Sequence, residues 1–397
     1  MEALDKITFL VGDKQTVVQM TGTPAKVPFA HDICEFLDAV SKALMSSAAG
    51  RQYPDVVTFG FWIRKASVQR LKKRFQKDGH TIRLGRGIAF HVAPSNVPVN
   101  FAYSLAAGLL AGNANIVRVP SRDFIQMGII VDAIKTALEA HQEMKPYIAL
   151  IRYDRDKDVN DCLSSISDIR IIWGGDTTIA EIRKSPLPPR GTEVTFADRY
   201  SIAVIDSNQY LEMENKGRIA EDFYNDTYMN DQNACTSPNI VIWTGNQRED
   251  AKAEFWENLH KLVKQKYKYQ DIQGVDKLTY EYLASVAIDG LQVLPHEDNL
   301  LIRVKTSEAA KRLMDFRGNS GYFFEYDCED VMELFDICND KRCQTVGVLG
   351  DKEFLVPLIQ KGIRGIDRVV EIGKTMDFDL VWDGYDLVGQ MSRIVAL

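Results

Sequence analysis

The 397-residue sequence lacks several signals that would define a protein class at once. Its six cysteines form neither a Cys-x-x-Cys pair nor a Cys/His cluster, so we predict no metal site and no disulfide framework. There is no Gly-x-Gly-x-x-Gly or Walker A loop. The most membrane-like stretch, 101–111, is too short to cross a bilayer, and the amino terminus lacks the basic and apolar regions of a signal peptide. We therefore expect a cytoplasmic protein without a membrane span.

Basic residues are also fewer than acidic ones. Lysine and arginine number 48 against 55 acidic residues, which gives a net charge of −7. Because no broad basic face is expected, we predict no nucleic-acid partner. The hydrophobic fraction of 45% and the charged fraction of 26% are typical of a folded soluble protein, and the length suggests two to three domains at roughly 150 residues each.

Strand-like and helix-like segments alternate from residue 81 onward. Short β-rich runs at 88–92, 148–152 and 169–173 are separated by helical patterns such as 124–140. This alternation predicts an α/β protein whose parallel sheet has helices on both faces. We place one domain at 1–206, a second at 207–380, and a final segment at 381–397 that packs back or oligomerises. Within the second domain we also predict helices at 307–315 and 329–339.

Cys235 has the local setting of a nucleophile. It follows the polar string 230–233 and precedes Pro238 and an apolar strand. Polar surroundings and nearby backbone N–H groups favour the thiolate form. The alternative is that Cys235 is simply a small packing residue, which is how we interpret Cys34, Cys162, Cys328 and Cys338 on helix faces.

A second candidate is the loop at 91–98, which reads His-Val-Ala-Pro-Ser-Asn-Val-Pro. Its two prolines restrain the backbone, and Asn96 lies between them at the end of a strand. An amide held there can donate to a developing oxyanion. Alternatively, Asn96 only satisfies loop backbone groups. For His91 we predict a hydrogen-bonded core histidine.

Two weaker candidates concern phosphate binding. Arg118, Ser121 and Arg122 lie where a strand ends and a helix begins, a place that suits a nucleotide phosphate. The run Gly174-Gly175-Asp176-Thr177 forms a strand–turn–helix element whose glycines permit close approach of a ligand. Either segment alone could be purely architectural.

Taken in order, these segments resemble the aldehyde dehydrogenase superfamily. The loop at 91–98 is similar to its Pro-x-Asn-x-Pro motif, and 111–118 to its Gly-Asn…Lys-Pro segment, with Arg118 in place of lysine. The turn at 173–177 is similar to its Gly-Ser-Thr turn, and 231–236 to its Gly-Gln-x-Cys motif. Two further stretches, 112–121 and 365–386, resemble the LuxC-type acyl-CoA reductases, the acyl-reductase subunit of bacterial luminescence.

This resemblance implies an aldehyde-dehydrogenase-like α/β fold with a Rossmann-like NADP-binding domain and an α/β catalytic domain. It implies NADPH-dependent reduction of an acyl-CoA or acyl-protein thioester to the aldehyde, a homo-oligomer, and an acyl-protein synthetase as partner. Cys235 would be the nucleophile and Asn96 the oxyanion donor. The residues implied for the cofactor are Ala93, Pro94, Ser95, Arg118, Ser121, Gly174, Gly175, Asp176 and Thr177.

One motif of the superfamily is missing. Aldehyde dehydrogenases that make acids carry a Glu-Leu-Gly-Gly base, whereas 194–201 reads Val-Thr-Phe-Ala-Asp-Arg-Tyr-Ser. Glu193 lies a few residues too early, and we expect Asp198 to form an ion pair with its neighbour Arg199. The acyl-enzyme should therefore resist hydrolysis.

Two other functions stay open at this point. A CoA-acylating aldehyde dehydrogenase for short acyl chains would use the same residues. A non-catalytic, partner-binding subunit would retain the fold, but it would have no physical reason to keep both Cys235 and Asn96. A thioesterase or acyltransferase would leave the cofactor segments without a purpose.

Overall fold

The structure is a computed structural model that describes residues 2–75, 81–95 and 97–397. The chain divides into two compact units. The first unit comprises Met1–Ala197 and Asp379–Leu397, and the second comprises Asp198–Phe378. This division differs from the predicted boundary at 206, because the strand that ends there pairs with strands of the second unit.

The first unit is built on a mostly parallel sheet. In the described part of the chain, its strands up to residue 197 are β1 Thr8–Val11, β2 Thr81–Gly85, β3 Ile88–Val92, β4 Ala114–Arg118, β5 Ile148–Arg152, β6 Ile169–Trp173 and β7 Thr192–Phe196. Six of them form one sheet in the order β1-β5-β4-β3-β6-β7. Strands β3 to β7 run parallel, and β1 is antiparallel to β5. Every residue of β3 and β6 is buried, as expected for strands covered on both faces.

Helices connect these strands. The described α-helices up to residue 197 are α1 Lys14–Met20, α2 His31–Ser46, α3 Pro54–Trp62, α4 Lys65–Phe75, α5 Asn100–Leu110, α6 Ile125–Ala140, α7 Lys157–Ser165 and α8 Asp176–Arg183. The chain order reverses between β3 and β6, which are neighbours in the sheet. The carboxyl ends of two such strands border a crevice, the usual place for a ligand in an open α/β sheet.

The second unit has its own sheet. Its described strands are β8 Tyr200–Asp206, β9 Pro238–Thr244, β10 Gln292–Val293, β11 Ile302–Lys305, β12 Tyr322–Asp327, β13 Cys343–Leu349 and β14 Arg368–Glu371. Their order is β10-β11-β12-β9-β8-β13-β14, and all pairs except β10–β11 are parallel. Its described α-helices are α9 Ser207–Glu212, α10 Lys216–Thr227, α11 Arg248–Lys266, α12 Asp271–Ala287, α13 Phe335–Cys338 and α14 Val356–Gln360.

The C-terminal segment returns to the first unit. It contains β15 Val381–Trp382, β16 Tyr385–Asp386, α15 Leu387–Gln390 and β17 Ser392–Ala396. Strand β17 pairs antiparallel with β2 along five residues. The Asn113 side chain, itself buried, donates to the carbonyl of Met391 at 2.9 Å and so fixes the start of that strand.

Two helix predictions in the second unit are wrong in extent. The segment 307–315 forms only a 3₁₀ turn at Lys311–Asp315, and 329–339 forms a 3₁₀ turn at Val331–Leu334 followed by the short α13. Asp330 and Glu333 make a capping box that begins the second of these turns at 331. No described helix combines the length and the hydropathy that crossing a bilayer would take.

Candidate active site

Cys235 lies in a tight loop between the 3₁₀ turn Tyr228–Asn230 and β9. The loop begins with Asp231 and Gln232, whose φ angles of 50° and 58° are left-handed. Short backbone hydrogen bonds close it, including Gln232 N–H to the Thr227 carbonyl at 2.8 Å. The Cys235 side chain is half-buried. The nucleophile candidate is thus held on a compact turn at the start of a buried strand.

The side chain of Gln232 fastens this loop to β12. It is buried, and its amide nitrogen donates to the carbonyls of Pro238 at 2.8 Å and Tyr322 at 3.1 Å. Its amide oxygen accepts from Gly321 N–H at 3.0 Å. Gly321 has a φ of +91°, and a Cβ there would come within 2.3 Å of the Leu300 carbonyl, so this position requires glycine.

Ser201 fixes the backbone at the cysteine itself. Its hydroxyl donates to the Cys235 carbonyl at 2.8 Å and accepts from Thr345 N–H at 3.2 Å. The next residue, Thr236, contacts the Met376 sulfur with its hydroxyl at 3.0 Å. Three segments of the second unit therefore position the loop.

A carboxyl group supports the segment that carries Met376. Asp226 is buried and accepts hydrogen bonds from Gly373 N–H at 2.6 Å and Thr375 N–H at 3.1 Å. Burial raises the pKa of Asp226 to about 7, and the two N–H donors oppose that rise.

Cys235 opens onto a polar cavity of about 200 Å³ within the second unit. The other residues that line it are Asp198, Arg199, Gln232, Asn233, Ala234, Tyr280, Asp315, Arg317 and Asn319. Both carboxylates in its wall are paired. Asp198 accepts from Arg317 at 3.1 Å, and Asp315 from Arg342 at 2.7 Å. The expected pair between Asp198 and Arg199 is wrong, because the Arg199 side chain turns to Asp367.

The other candidate residues belong to the first unit, at the carboxyl ends of β3, β4 and β6. Ala93 donates its N–H to the Arg118 carbonyl at 3.0 Å, which places the 93–95 segment beside the end of β4. Pro94 and Ser95 continue that loop as irregular backbone. Asn96, the predicted oxyanion donor, lies outside the described residues.

Part of the Arg118 guanidinium already has contacts within the first unit. Its guanidinium lies 4.5 Å from the centre of the Tyr153 ring and donates to the Tyr153 carbonyl at 3.3 Å. Within the part of the chain that the structure describes, its other guanidinium N–H groups make no hydrogen bond. Ser121 is exposed in the turn that follows β4. The arrangement leaves cationic donors at the strand end.

The glycine pair follows β6 directly. Gly174 N–H donates to the Phe196 carbonyl at 3.0 Å, and Gly175 is the N-cap of α8, with Asp176 and Thr177 as the first helical residues. Apart from the chain neighbours of Gly175 and the backbone of its own helix, no described residue lies within 4 Å of the place where a Cβ on Gly175 would be. The structure thus brings a helix start and open space to the end of β6, the neighbour of β3.

The prediction for His91 is confirmed. It is fully buried, with Nδ1 at 2.7 Å from the Ser104 hydroxyl and Nε2 at 3.0 Å from the Asn115 side-chain oxygen. Since Trp173 also donates to the Ser104 hydroxyl, the consistent assignment has the hydroxyl donating to Nδ1 and Nε2–H donating to Asn115. Burial lowers the pKa of His91 to about 4.

The carboxylate of Glu193 forms ion pairs with two arginines of the first unit. One of its oxygens pairs with the buried Arg170 at 2.5 Å and the other with Arg183 at 2.7 Å. Arg170 also donates to the hydroxyl of Ser164 and to two backbone carbonyls, so Glu193 completes a structural ion-pair cluster.

The other cysteines are mostly placed as predicted. Cys34 and Cys162 lie on α2 and α7, and Cys338 ends α13. The prediction of a helix face is wrong for Cys328, which lies in irregular backbone directly after β12. Burial, the largest cause, raises the pKa of the Cys328 thiol to about 12.

Sequence reasoning missed three contributors to the site: Ser201, Arg317 and Asn319. Asn319 donates to the Asn233 side chain at 2.9 Å, and its own φ of 52° is left-handed. The run Gly318-Asn319-Ser320-Gly321 is a recognisable turn signal, but only the tertiary fold brings it to the cysteine loop. Nothing local marks Ser201 or Arg317.

Comparison with known proteins identifies relatives for most of the chain. The family model described as Acyl-CoA reductase (LuxC) matches residues 63–394. The long-chain acyl-protein thioester reductase of Aliivibrio fischeri is 23% identical over 323 residues, which cover 78% of this chain and 63% of that protein. The enzyme of the same name from Vibrio harveyi is 25% identical over 325 residues, with 78% and 63% covered. The chain thus spans less than two thirds of the length of these relatives.

Solved structures show the same fold at low identity. The NADP-dependent glyceraldehyde-3-phosphate dehydrogenase from Bacillus halodurans, complexed with NADP, has a TM-score of 0.61 at 14% identity, over 96% of this chain and 89% of that one. The 1-pyrroline-5-carboxylate dehydrogenase from Thermus with bound NAD has a TM-score of 0.62 at 13% identity, over 96% and 83%. The predicted aldehyde-dehydrogenase-like α/β fold is confirmed. With the family match over most of its length, the chain belongs to the LuxC acyl-CoA reductase family.

Proposed function

We propose that this chain reduces a long-chain acyl thioester to the aldehyde, with NADPH as hydride donor and Cys235 as nucleophile. The observation that carries the proposal is the half-buried Cys235 on the wall of a polar cavity, in a chain of the acyl-CoA reductase family. The names of the relatives, long-chain acyl-protein thioester reductases, support a long acyl chain carried on a protein, and the description of the family model supports CoA as a carrier.

The proposed reaction has two stages at Cys235. The thiolate attacks the carbonyl carbon of the thioester, and the carbonyl electron pair moves onto oxygen. When that pair returns, the donor thiolate leaves and acyl-Cys235 remains. The amide of Asn96 is proposed to donate to the oxyanion, a contact that is typically worth roughly 2.7–4 kcal/mol of barrier. After reduction of the acyl carbonyl, the Cys235 thiolate leaves and the aldehyde is released.

The residues at the strand ends of the first unit fit a nicotinamide dinucleotide. The open space at Gly175, at the start of α8, suits the close approach of a pyrophosphate. The guanidinium N–H groups of Arg118 that bond to no described residue suit the 2′-phosphate that distinguishes NADPH from NADH. Bound NADPH would supply the hydride, and Ala93, Pro94, Ser95, Ser121, Gly174, Asp176 and Thr177 would complete its contacts.

The pairing of the candidate carboxylates supports a reductase over a hydrolase. Hydrolysis of an acyl-cysteine needs a base that activates water. The cavity carboxylates Asp198 and Asp315 each accept from an arginine, and Glu193 is held between two arginines. We therefore propose that acyl-Cys235 persists until it is reduced.

The test is intact-mass spectrometry of the full chain mixed with a series of acyl-CoA thioesters. We expect one added acyl mass that remains when NADPH is withheld and is lost as aldehyde when NADPH is added. A Cys162→Ala control, which removes another half-buried cysteine, should behave like the parent protein. Rapid release of fatty acid without NADPH would contradict the proposal. Efficient turnover only with short acyl chains would instead support a CoA-acylating aldehyde dehydrogenase.

A further inference from the structure

Helix α12 has its polar and apolar faces reversed. The side chains that it buries are Gln273, Lys277 and Ala284. Six of its large apolar side chains are exposed by about half or more, from 49% at Leu278 to 90% at Val286. We call the following six residues the α12 stripe: Ile272, Val275, Leu278, Tyr282, Leu283 and Val286. An amphipathic helix that only packed on its own unit would show the opposite pattern.

The residues of the α12 stripe share one side of the helix. At 3.6 residues per turn, its six residues fall within about 140° of the helix circumference, directly opposite the buried face. Helix α11, which precedes it, buries Phe255, Trp256, Leu259 and Val263 in the usual way. Scattered exposed apolar residues need no explanation, but a contiguous stripe on one helix marks an interaction surface.

The buried face of α12 rests on the cysteine loop. Gln273 donates to the carboxylate of Asp231 at 3.1 Å, and Asp231 opens the loop that carries Cys235. The ammonium group of Lys277 donates to the carbonyls of Ser320 at 2.9 Å and of Asn299. Tyr280 lines the Cys235 cavity. A molecule bound along the outer face of α12 is therefore separated from the cysteine loop by one helix diameter, about 10 Å.

The charges of α12 indicate which kind of partner can bind to the α12 stripe. The charged side chains of the helix besides the buried Lys277 are Asp271, Asp276 and Glu281, and the exposed Asp289 follows its end. An acidic rim repels an anionic membrane surface. It also opposes a symmetric contact with a second copy, in which acidic groups would face each other. The complementary partner is a protein with apolar anchors and a basic rim.

We propose that the α12 stripe is the docking surface for the protein that presents the acyl thioester to Cys235, and that the contact face of this protein is apolar with a basic rim. That the docked protein carries an acyl thioester rests on the proposed function, whereas the docking of a protein on the α12 stripe does not. Gln273 couples α12 to the cysteine loop, and Tyr280 of the same helix lines the cavity, so a donor docked on α12 is one helix diameter from the cavity wall.

The first experiment measures docking alone. Two fluorescent 18-residue helical peptides with the same leucine face, one with a lysine rim and one with a glutamate rim, are titrated with the full chain and followed by anisotropy. We expect the lysine peptide to bind at least about tenfold more tightly at low salt, with the preference reduced in high salt. The double variant Val275→Ser/Val286→Ser should lose this binding. The control Ile125→Ser, which removes an exposed isoleucine of the first unit, should keep it.

The second experiment places a tetradecanoyl thioester on a cysteine of each peptide and measures acyl transfer by intact mass, with tetradecanoyl-CoA as a small donor. In the double variant, acyl transfer from the lysine peptide should be no faster than from the glutamate peptide, and acyl transfer from tetradecanoyl-CoA should be unchanged. Equal binding of the two peptides would overturn the proposal. So would a dimer that dissociates in the double variant, or vesicle binding that requires the stripe. Peptide binding without acyl transfer from any donor would leave docking supported and contradict the proposed function.

Discussion

The two candidate regions are stabilised in opposite ways. In the second unit, polar side chains fix the loop of Cys235: Gln232 makes three hydrogen bonds to backbone groups, and Ser201 holds the cysteine carbonyl. In the first unit, backbone groups fix the strand ends, as in the bond from Ala93 N–H to the Arg118 carbonyl and from Gly174 N–H to the Phe196 carbonyl.

This difference matches the two tasks that we propose. A nucleophile has to be held in one geometry, so the side chains around Cys235 are used for support. A dinucleotide has to be bound and released, so donors and open space at Arg118 and Gly175 are left for it. The comparison predicts that substitutions near Cys235 affect catalysis and stability together, whereas those at the strand ends affect cofactor binding alone.

Loss of the proposed nucleophile should have the largest effect. We expect Cys235→Ala to abolish both acylation and reduction, with a fall in activity of roughly 10⁴-fold or more, because no other group replaces a covalent nucleophile. Acyl adduct by intact mass and NADPH consumption are the two measurements, and circular dichroism checks the fold. Appreciable reductase activity in this variant would disprove the assignment.

Removal of the loop support should come next. Gln232→Ala leaves Gly321 N–H and two carbonyls buried without their partner, which should lower the free energy of unfolding by about 3 kcal/mol and reduce the rate of acylation. The control is Asn233→Ala, an exposed neighbour that accepts one side-chain hydrogen bond and should cost less than about 1 kcal/mol. Urea titrations of both variants test this. Equal costs would show that Gln232 does not hold the loop.

The sequence was most informative where the local pattern decides the structure. The runs 88–92, 148–152 and 169–173 are strands with the predicted ends, because continuous apolar segments between turn signals are typical of buried parallel strands. Short segments such as 307–315 depend on tertiary contacts instead, and they were predicted wrongly. Likewise, the pairing of Asp198 with Arg317 joins residues 119 apart, which no local pattern reveals.

A smaller and more selective effect is expected at Arg118. Arg118→Ala should raise the KM for NADPH about tenfold and leave the KM for NADH nearly unchanged, because only NADPH carries the 2′-phosphate. Arg118→Lys keeps the charge but loses the bidentate geometry and should fall between the two. Steady-state kinetics with both cofactors make the measurement. If the KM values rise equally, Arg118 serves the structure through Tyr153 rather than cofactor selectivity.

The last effect is a pH dependence of stability. It should come from a buried hydrogen-bonded cluster beneath the strand ends, where side chains do stabilise the first unit. The buried His91 joins β3 to Ser104 of α5 and Asn115 of β4, and Trp173 at the end of β6 shares the Ser104 hydroxyl. Burial lowers the pKa of His91 from 6.5 to about 4, so the unfolded chain takes up a proton in this pH range before the folded chain does. The stabilisation is fully present above pH 6.5 and is lost as the pH falls toward 4, by about 3 kcal/mol.

Urea titrations of the parent protein and of His91→Gln test this. Between pH 8 and pH 4, the unfolding free energy of the variant should fall by about 3 kcal/mol less than that of the parent. Its cost at pH 8, where His91 is neutral in both states, reports only lost packing and hydrogen bonds. Parallel pH curves for the parent and the variant would mean that the layer beneath the strand ends does not depend on a neutral His91.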